Sequence, residues 1–213
     1  MMPVEPQPEP DVFDRLVRIP GKNFLKQLSS AKPTDKEWNR HAYWKSIRPQ
    51  LKKCYNCVCA YYAHWIPPGS SYATVDHYIP KSVEPRLAYE WSNFRLACEI
   101  ANQRKREFQD VLDPFQIEDN WFILDFPSLL LKPHPDLPAN IQEQVWATIN
   151  RLRLNDDQTL VEERSHWIKQ YCLGAGFRFL KVNAPFIAYE LMRQNLEEDI
   201  KNMMVFEQER EDY

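Results

Sequence analysis

The sequence predicts an α+β fold, a β-hairpin and one helix embedded in a mainly helical chain, on three observations. Residues 58–65 and 72–79 are β-rich runs separated by Pro67-Pro68-Gly69-Ser70-Ser71, the pattern of two strands and a turn. Residues 92–107 then read as a helix, with Asn102 and Lys105 three apart and therefore on one face. Beyond residue 138, Ile141, Val145, Ile149 and Leu152 recur at helical spacing, a stripe that belongs to a core.

The remaining elements follow from local signals. Residues 1–10 alternate Pro with acidic and polar side chains and are expected to be extended or disordered. Asp11 to about Gln27 reads as a short helix or turn interrupted at Ile19-Pro20-Gly21. Thr34-Asp35-Lys36-Glu37 is a capping signature that opens a helix carrying Trp38, Ala42, Tyr43 and Ile47 and ending near Tyr55. After the hairpin and helix, Asp110-Val111-Leu112-Asp113-Pro114-Phe115 is a turn and Trp121 to Phe126 a strand-like run. Pro133, Pro135 and Pro138 break the chain before helices near 139–153, 158–173 and 184–203. The organisation expected is an N-terminal arm (1–33), a core with its leading helix (34–126) and a helical C-terminal region (127–213) that packs on the core and binds a partner. No internal repeat is evident.

Composition bounds the class. The 213 residues are 44% hydrophobic, 13% aromatic and 27% charged, ordinary for a soluble protein that buries one good core. No apolar run reaches the length of a membrane span, and Met1 to Pro10 lacks the basic and apolar regions of a signal peptide, so a cytoplasmic location is expected. The net charge of −3 is unevenly spread: Glu190 to Tyr213 carries a local balance of −5, and the rest is therefore about +2. Lys81, Arg86, Arg95, Arg104, Lys105 and Arg106 outnumber Glu84, Glu90 and Glu99 between His77 and Arg106. That modest excess does not predict tight non-specific duplex binding by the chain alone.

Thr74-Val75-Asp76-His77-Tyr78-Ile79-Pro80-Lys81-Ser82, then Asn93, then Asn102-Gln103-Arg104-Lys105 place an imidazole, a carboxylate and two carboxamides within about thirty residues. Phosphodiester hydrolysis needs such types: a group titrating near neutrality to take a proton from water, and oxygen ligands for a hard cation that relieves phosphate charge. Asp-His-x-x-Pro, Asn and Asn-x-x-Lys in this order resemble the ββα-metal core of the HNH endonucleases, over roughly residues 50–108. The resemblance implies His77 as general base, Asp76 and Asn102 as ligands of Mg²⁺ or Mn²⁺, and Asn93 as the tie of the intervening loop. Lys105 would face the scissile phosphate or brace the helix. The substrate implied is DNA rather than RNA such as tRNA. The stand-alone bacterial HNH proteins of anti-phage systems are the most similar, among them the nuclease subunit that pairs with an ATPase in Septu-type defence.

Each residue also has a plainer reading. Asp-His is commonly a hydrogen-bonding pair, Asn93 an N-cap, and Arg104-Lys105-Arg106 a solvated helix end. Many HNH proteins hold a structural zinc with two Cys-x-x-Cys pairs. Cys54 and Cys57 supply one pair and Cys98 begins a second, but Ala101 stands where its partner belongs. Zn²⁺ would then need a fourth ligand from Cys59, His64 or elsewhere, and small buried thiols in a reducing compartment are the favoured reading for all five cysteines. His134 and His166 have no companion ligands. Met203-Met204-Val205-Phe206 in the acidic tail reads as a solvated helix end or a docking peptide. A second class of function stands beside the nuclease: a nuclease-derived nucleic-acid-binding or scaffold module without turnover.

Overall fold

A computed structural model describes residues 1–28, 32–69, 72–155 and 158–204. The chain mixes helix with small antiparallel sheets, as an α+β reading requires, and divides into two compact units, Met1–Asp119 and Asn120–Tyr213.

In the first unit the N-terminal arm is extended and packed. Met1 is buried, Val4 N donates to the Pro114 carbonyl, and Trp91 Nε1 donates to the Gln7 carbonyl. Ile19-Pro20-Gly21 does not interrupt the next segment. A π turn over Asp14–Arg18, in which Ile19 N reaches Asp14 O, runs straight into α1 (Ile19–Lys26), so the donor that Pro20 lacks falls at the start of α1. Gly21 lies face to face with Tyr89, and a Cβ there would overlap the ring. Gly21→Ala is therefore expected to cost about 1–3 kcal/mol through overpacking, read as a lower urea midpoint at unchanged slope.

The Thr34 capping box forms and opens α2 (Asp35–Arg40). The long helix expected there is divided: α2 ends at His41, a 3₁₀ turn spans Tyr43–Ile47, and α3 (Arg48–Cys54) restarts with Pro49 in its first turn. The hairpin also differs from expectation. Residues 58–65 form no strand; Asn56, Cys57 and Ala63 all have positive φ, and only Val58 and Trp65 bridge. β1 (Ala73–His77) pairs instead with β2 (Phe94–Cys98), Asp76 opposite Arg95 and His77 opposite Phe94. The helix expected from residue 92 begins only after that strand, as α4 (Glu99–Lys105). β2 is buried along its whole length, and an apolar run of that kind carries no periodicity that separates strand from helix.

The core of this unit holds Phe13, Val17, Ile47, Leu51, Tyr61, Tyr89, Phe94 and Leu96. Arg95 is locked by paired bonds to both oxygens of Asp113, each 2.7 Å, and its guanidinium stacks 3.5 Å from the centre of the Phe115 ring.

The second unit is a hairpin, β3 (Phe122–Asp125) with β4 (Leu130–Pro133), and helices α5 (Ala139–Leu152), α6 (Gln158–Gln170), α7 (Phe177–Asn183), α8 (Pro185–Arg193) and α9 (Ile200–Met203). Of the expected stripe, Val145, Ile149 and Leu152 are buried and Ile141 is half-buried. Glu190 of α8, fully buried, accepts from Leu124 N and from the Arg193 guanidinium, tying hairpin to helix. Of the tail cluster, Val205 and Phe206 lie outside the described residues.

Candidate functional site

β1 delivers two consecutive ionisable residues, and consecutive residues of a strand project to opposite faces. Asp76 meets α4; His77 meets the 3₁₀ turn at Trp44 and the loop ahead of β2.

His77 is buried, its ring edge-on to Trp44 (centroids 4.8 Å apart) and to Phe94 (5.2 Å). Nε2 lies 3.0 Å from the Ala88 carbonyl oxygen. A carbonyl only accepts, so Nε2 carries the hydrogen, and in the neutral ring Nδ1 holds the lone pair. Burial pushes the imidazole down to about 3, against the Ala88 bond and with the charges of Lys81 and Lys105 adding to the fall. The unfolded chain takes up a proton near the ordinary value of 6.5, whereas the folded chain does so only near 3. His77 therefore removes stability as pH falls through that window, by up to about 1.4 kcal/mol per unit. The stability gap between wild type and His77→Gln, from urea unfolding at a series of pH values, is expected to move against wild type from pH about 6.5 downward. A pH-independent gap would contradict a neutral buried ring.

Asp76 is 2% exposed and Lys105 wholly buried. The Lys105 ammonium is 3.1 Å from Asp76 Oδ2 and also donates to the carbonyls of His77 and Tyr78, at 3.1 and 2.9 Å. Tyr61 donates its hydroxyl to the same carboxylate. Burial raises the Asp76 carboxyl, and the charge of Lys105 and the Tyr61 bond oppose that rise. Lys105 thus braces α4 against the end of β1 and lies below any surface that a phosphate reaches. Asn102, one turn earlier on α4, donates from Nδ2 to Thr74 Oγ1 at 3.0 Å.

Asn93 is the loop tie. Its Oδ1 accepts from Ile79 N at 2.8 Å, and its Nδ2 donates to the carbonyls of Ile79 and Leu87 at 3.0 and 3.2 Å. Asn93 and His77 hold successive carbonyls, Leu87 and Ala88, so one clamp shapes the whole connection from β1 to β2.

The structure therefore gathers Asp76 with Lys105, sets Asn102 beside them on the same strand face, and places His77 with Asn93 on the loop side. Sequence reasoning passed over Tyr61 and Trp44, and it counted Lys81 only in the basic excess between His77 and Arg106. Tyr61 buries the carboxylate, Trp44 walls the imidazole, and Lys81 holds its ammonium 6.0 Å from the ring centres of both Trp38 and Trp44. The Pro80-Lys81-Ser82 run after Asp76-His77 was the available signal for Lys81, since a cation four residues beyond a strand-end histidine returns to its side across a turn.

Asp76 and Asn102 offer oxygen donors of the type a hard cation takes. Their arrangement does not fit one: the position of a cation against Asp76 is filled by the Lys105 ammonium, and Tyr61 occupies the carboxylate as well. Nor do Cys54, Cys57 and Cys98 converge. Among the described residues no three His, Cys, Asp or Glu side chains form a metal-holding group, and Cys98 packs on Cys59, whose sulfur accepts from Cys98 N at 3.4 Å. Ala101, where a fourth thiolate would stand, is buried and carries only a methyl group. Among the described residues no helix is long and apolar enough to cross a membrane.

No protein-family model matches the chain, and no curated protein matches it.

Proposed function

We propose that this protein is a phosphodiester hydrolase of the HNH type, an endonuclease acting on DNA. The observation that carries the reading is His77: the terminal residue of β1 is a neutral imidazole whose Nε2–H is pinned by the Ala88 carbonyl, leaving Nδ1 as the proton acceptor. Its setting, two antiparallel strands followed by a helix that bears Asn102 and Lys105, supports the same reading.

In the proposed step the oxygen of a water bonds to phosphorus while the P–O ester bond breaks. The water's proton passes to His77 Nδ1, and the leaving oxygen takes a proton from solvent. An anionic phosphate beside the ring raises its proton affinity above that of the free protein. The Lys81 ammonium, over Trp38 and Trp44, draws that phosphate toward the imidazole. Asn93 keeps the loop, and with it the Ala88 carbonyl, in place.

The test is cleavage of supercoiled plasmid DNA and of a labelled tRNA by the purified chain, with Mg²⁺, with Mn²⁺ and with chelator. Nicking of DNA that fails in His77→Ala supports the reading. Cleavage of tRNA alone moves the substrate to RNA, and activity undiminished by chelator removes the divalent ion. A second reading, a nuclease-derived nucleic-acid-binding module without turnover, is favoured by Lys105 standing in the cation position. Nucleic-acid binding with no cleavage in any arm would establish it.

A further inference from the structure

From His41 to Val75 the sequence carries Lys45, Arg48, Lys52 and Lys53 and no Asp or Glu. The fold gathers three of these cations on one cavity of about 680 Å³, whose lining includes Lys45, Arg48, Lys52, Pro49, Pro68 and Tyr72. No carboxylate of the described residues is ion-paired with Lys45, Arg48 or Lys52. Tyr72 stands at the edge of this cavity with 66% of its surface exposed, the most exposed aromatic ring of the first unit. A large aromatic with two thirds of its surface in solvent, beside cations that no described carboxylate pairs, is an open stacking face.

Its position relative to His77 is fixed by two short elements. Lys45 follows Trp44 in the 3₁₀ turn, and Trp44 is the residue whose ring meets His77. Ala73, on the cavity wall, opens β1, and His77 closes it, so the two ends are separated by four residue steps, about 13 Å of strand.

We propose that this cavity is a groove for single-stranded nucleic acid: Lys45, Arg48 and Lys52 hold consecutive backbone phosphates and Tyr72 stacks on an unpaired base, leading the strand toward His77. The choice of single strand over duplex rests on Tyr72. A paired duplex hides its base faces, whereas an unpaired base offers a face to an exposed ring, worth about 1–3 kcal/mol. The proline rings add an apolar wall for sugars, and phosphate binding by three cations adds the electrostatic part. The inference rests on the nuclease reading only for the direction of the strand; the binding itself does not require turnover.

The experiment is fluorescence anisotropy of the full chain with a labelled oligothymidylate of about twenty nucleotides, compared with a duplex of equal length. Wild type is expected to bind the single strand at least about tenfold more tightly than the duplex. Lys45→Gln/Arg48→Gln/Lys52→Gln is expected to lower the affinity about 10²-fold and to reduce the slope of log K against log salt by about 2. Tyr72→Ala is expected to lower it about tenfold at unchanged salt slope. Hydrolysis of bis(p-nitrophenyl) phosphate, too small to need the groove, is followed in the same proteins. Its loss in every protein, wild type included, would sink the nuclease reading and leave the groove to be judged by anisotropy alone. Equal affinity for duplex, or wild-type affinity in the glutamine triple variant with an unchanged circular-dichroism melt, would overturn the groove.

Discussion

His77→Ala is expected to lower DNA cleavage by about 10²–10⁴-fold, the range that removal of a general base produces. The reason is geometric. Ala88 O fixes which nitrogen carries the hydrogen, Trp44 and Phe94 fix the ring plane, and the remaining lone pair on Nδ1 is the only proton acceptor that the ring can offer. The same contacts make alanine an imperfect variant, since it also removes a bond to the loop and leaves space against two aromatic rings. His77→Gln addresses this, because its amide can still donate toward Ala88 O but cannot serve as a base. Both variants are compared in single-turnover cleavage at saturating DNA, with affinity measured separately by anisotropy. A base role requires both to lose rate at unchanged affinity. If His77→Gln cuts within about threefold of wild type while His77→Ala is unfolded, the imidazole is a structural clamp and the mechanism loses its base.

What the sequence made legible was the α+β class and the features that are local along the chain. Asn93 was expected to tie the loop, and its three bonds to Ile79 and Leu87 do so, because a buried carboxamide must be satisfied and the loop backbone supplies its partners. The Thr34 cap was legible because a capping box is local in sequence. The strand pairing was not. Phe94 to Cys98 is uniformly buried, and whether such a run is strand or helix is settled by its partner, here Ala73–His77, more than fifteen residues away. The β-rich residues 58–65 lost that competition because positive φ at Asn56, Cys57 and Ala63 turns the chain back on itself, leaving Ala60 N to bond the Leu96 carbonyl at the edge of β2. Spacing likewise set Asn102 and Lys105 on one helix face correctly, yet gave no sign that Lys105 reaches Asp76 before a metal does. Side-chain length decides that: the lysine stem spans from the end of α4 to the strand, whereas Asn102 stops at Thr74.

Lys105→Met is expected to destabilise the first unit by about 3–5 kcal/mol, the cost of leaving one partner of a buried pair uncompensated. Lys105 is fully buried, and besides Asp76 its ammonium satisfies the carbonyls of His77 and Tyr78, so the substitution strands one charge and two acceptors at the end of β1. Methionine nearly matches the stem in volume, which keeps the loss electrostatic rather than a cavity effect. Asp76→Asn/Lys105→Met removes the stranded charge and is expected to recover at least half of the loss, a non-additivity that a double-mutant cycle measures directly. The same pair of proteins bears on metal binding. With the ammonium gone and Asp76 retained, the carboxylate keeps the Tyr61 bond but has lost its cation, and Lys105→Met should bind Mn²⁺ more tightly than wild type in a calorimetric titration, whereas the double variant should not. A single variant as stable as wild type would place the Lys105 ammonium in solvent, and with it would fall the account of why Asp76 does not meet a cation in this fold.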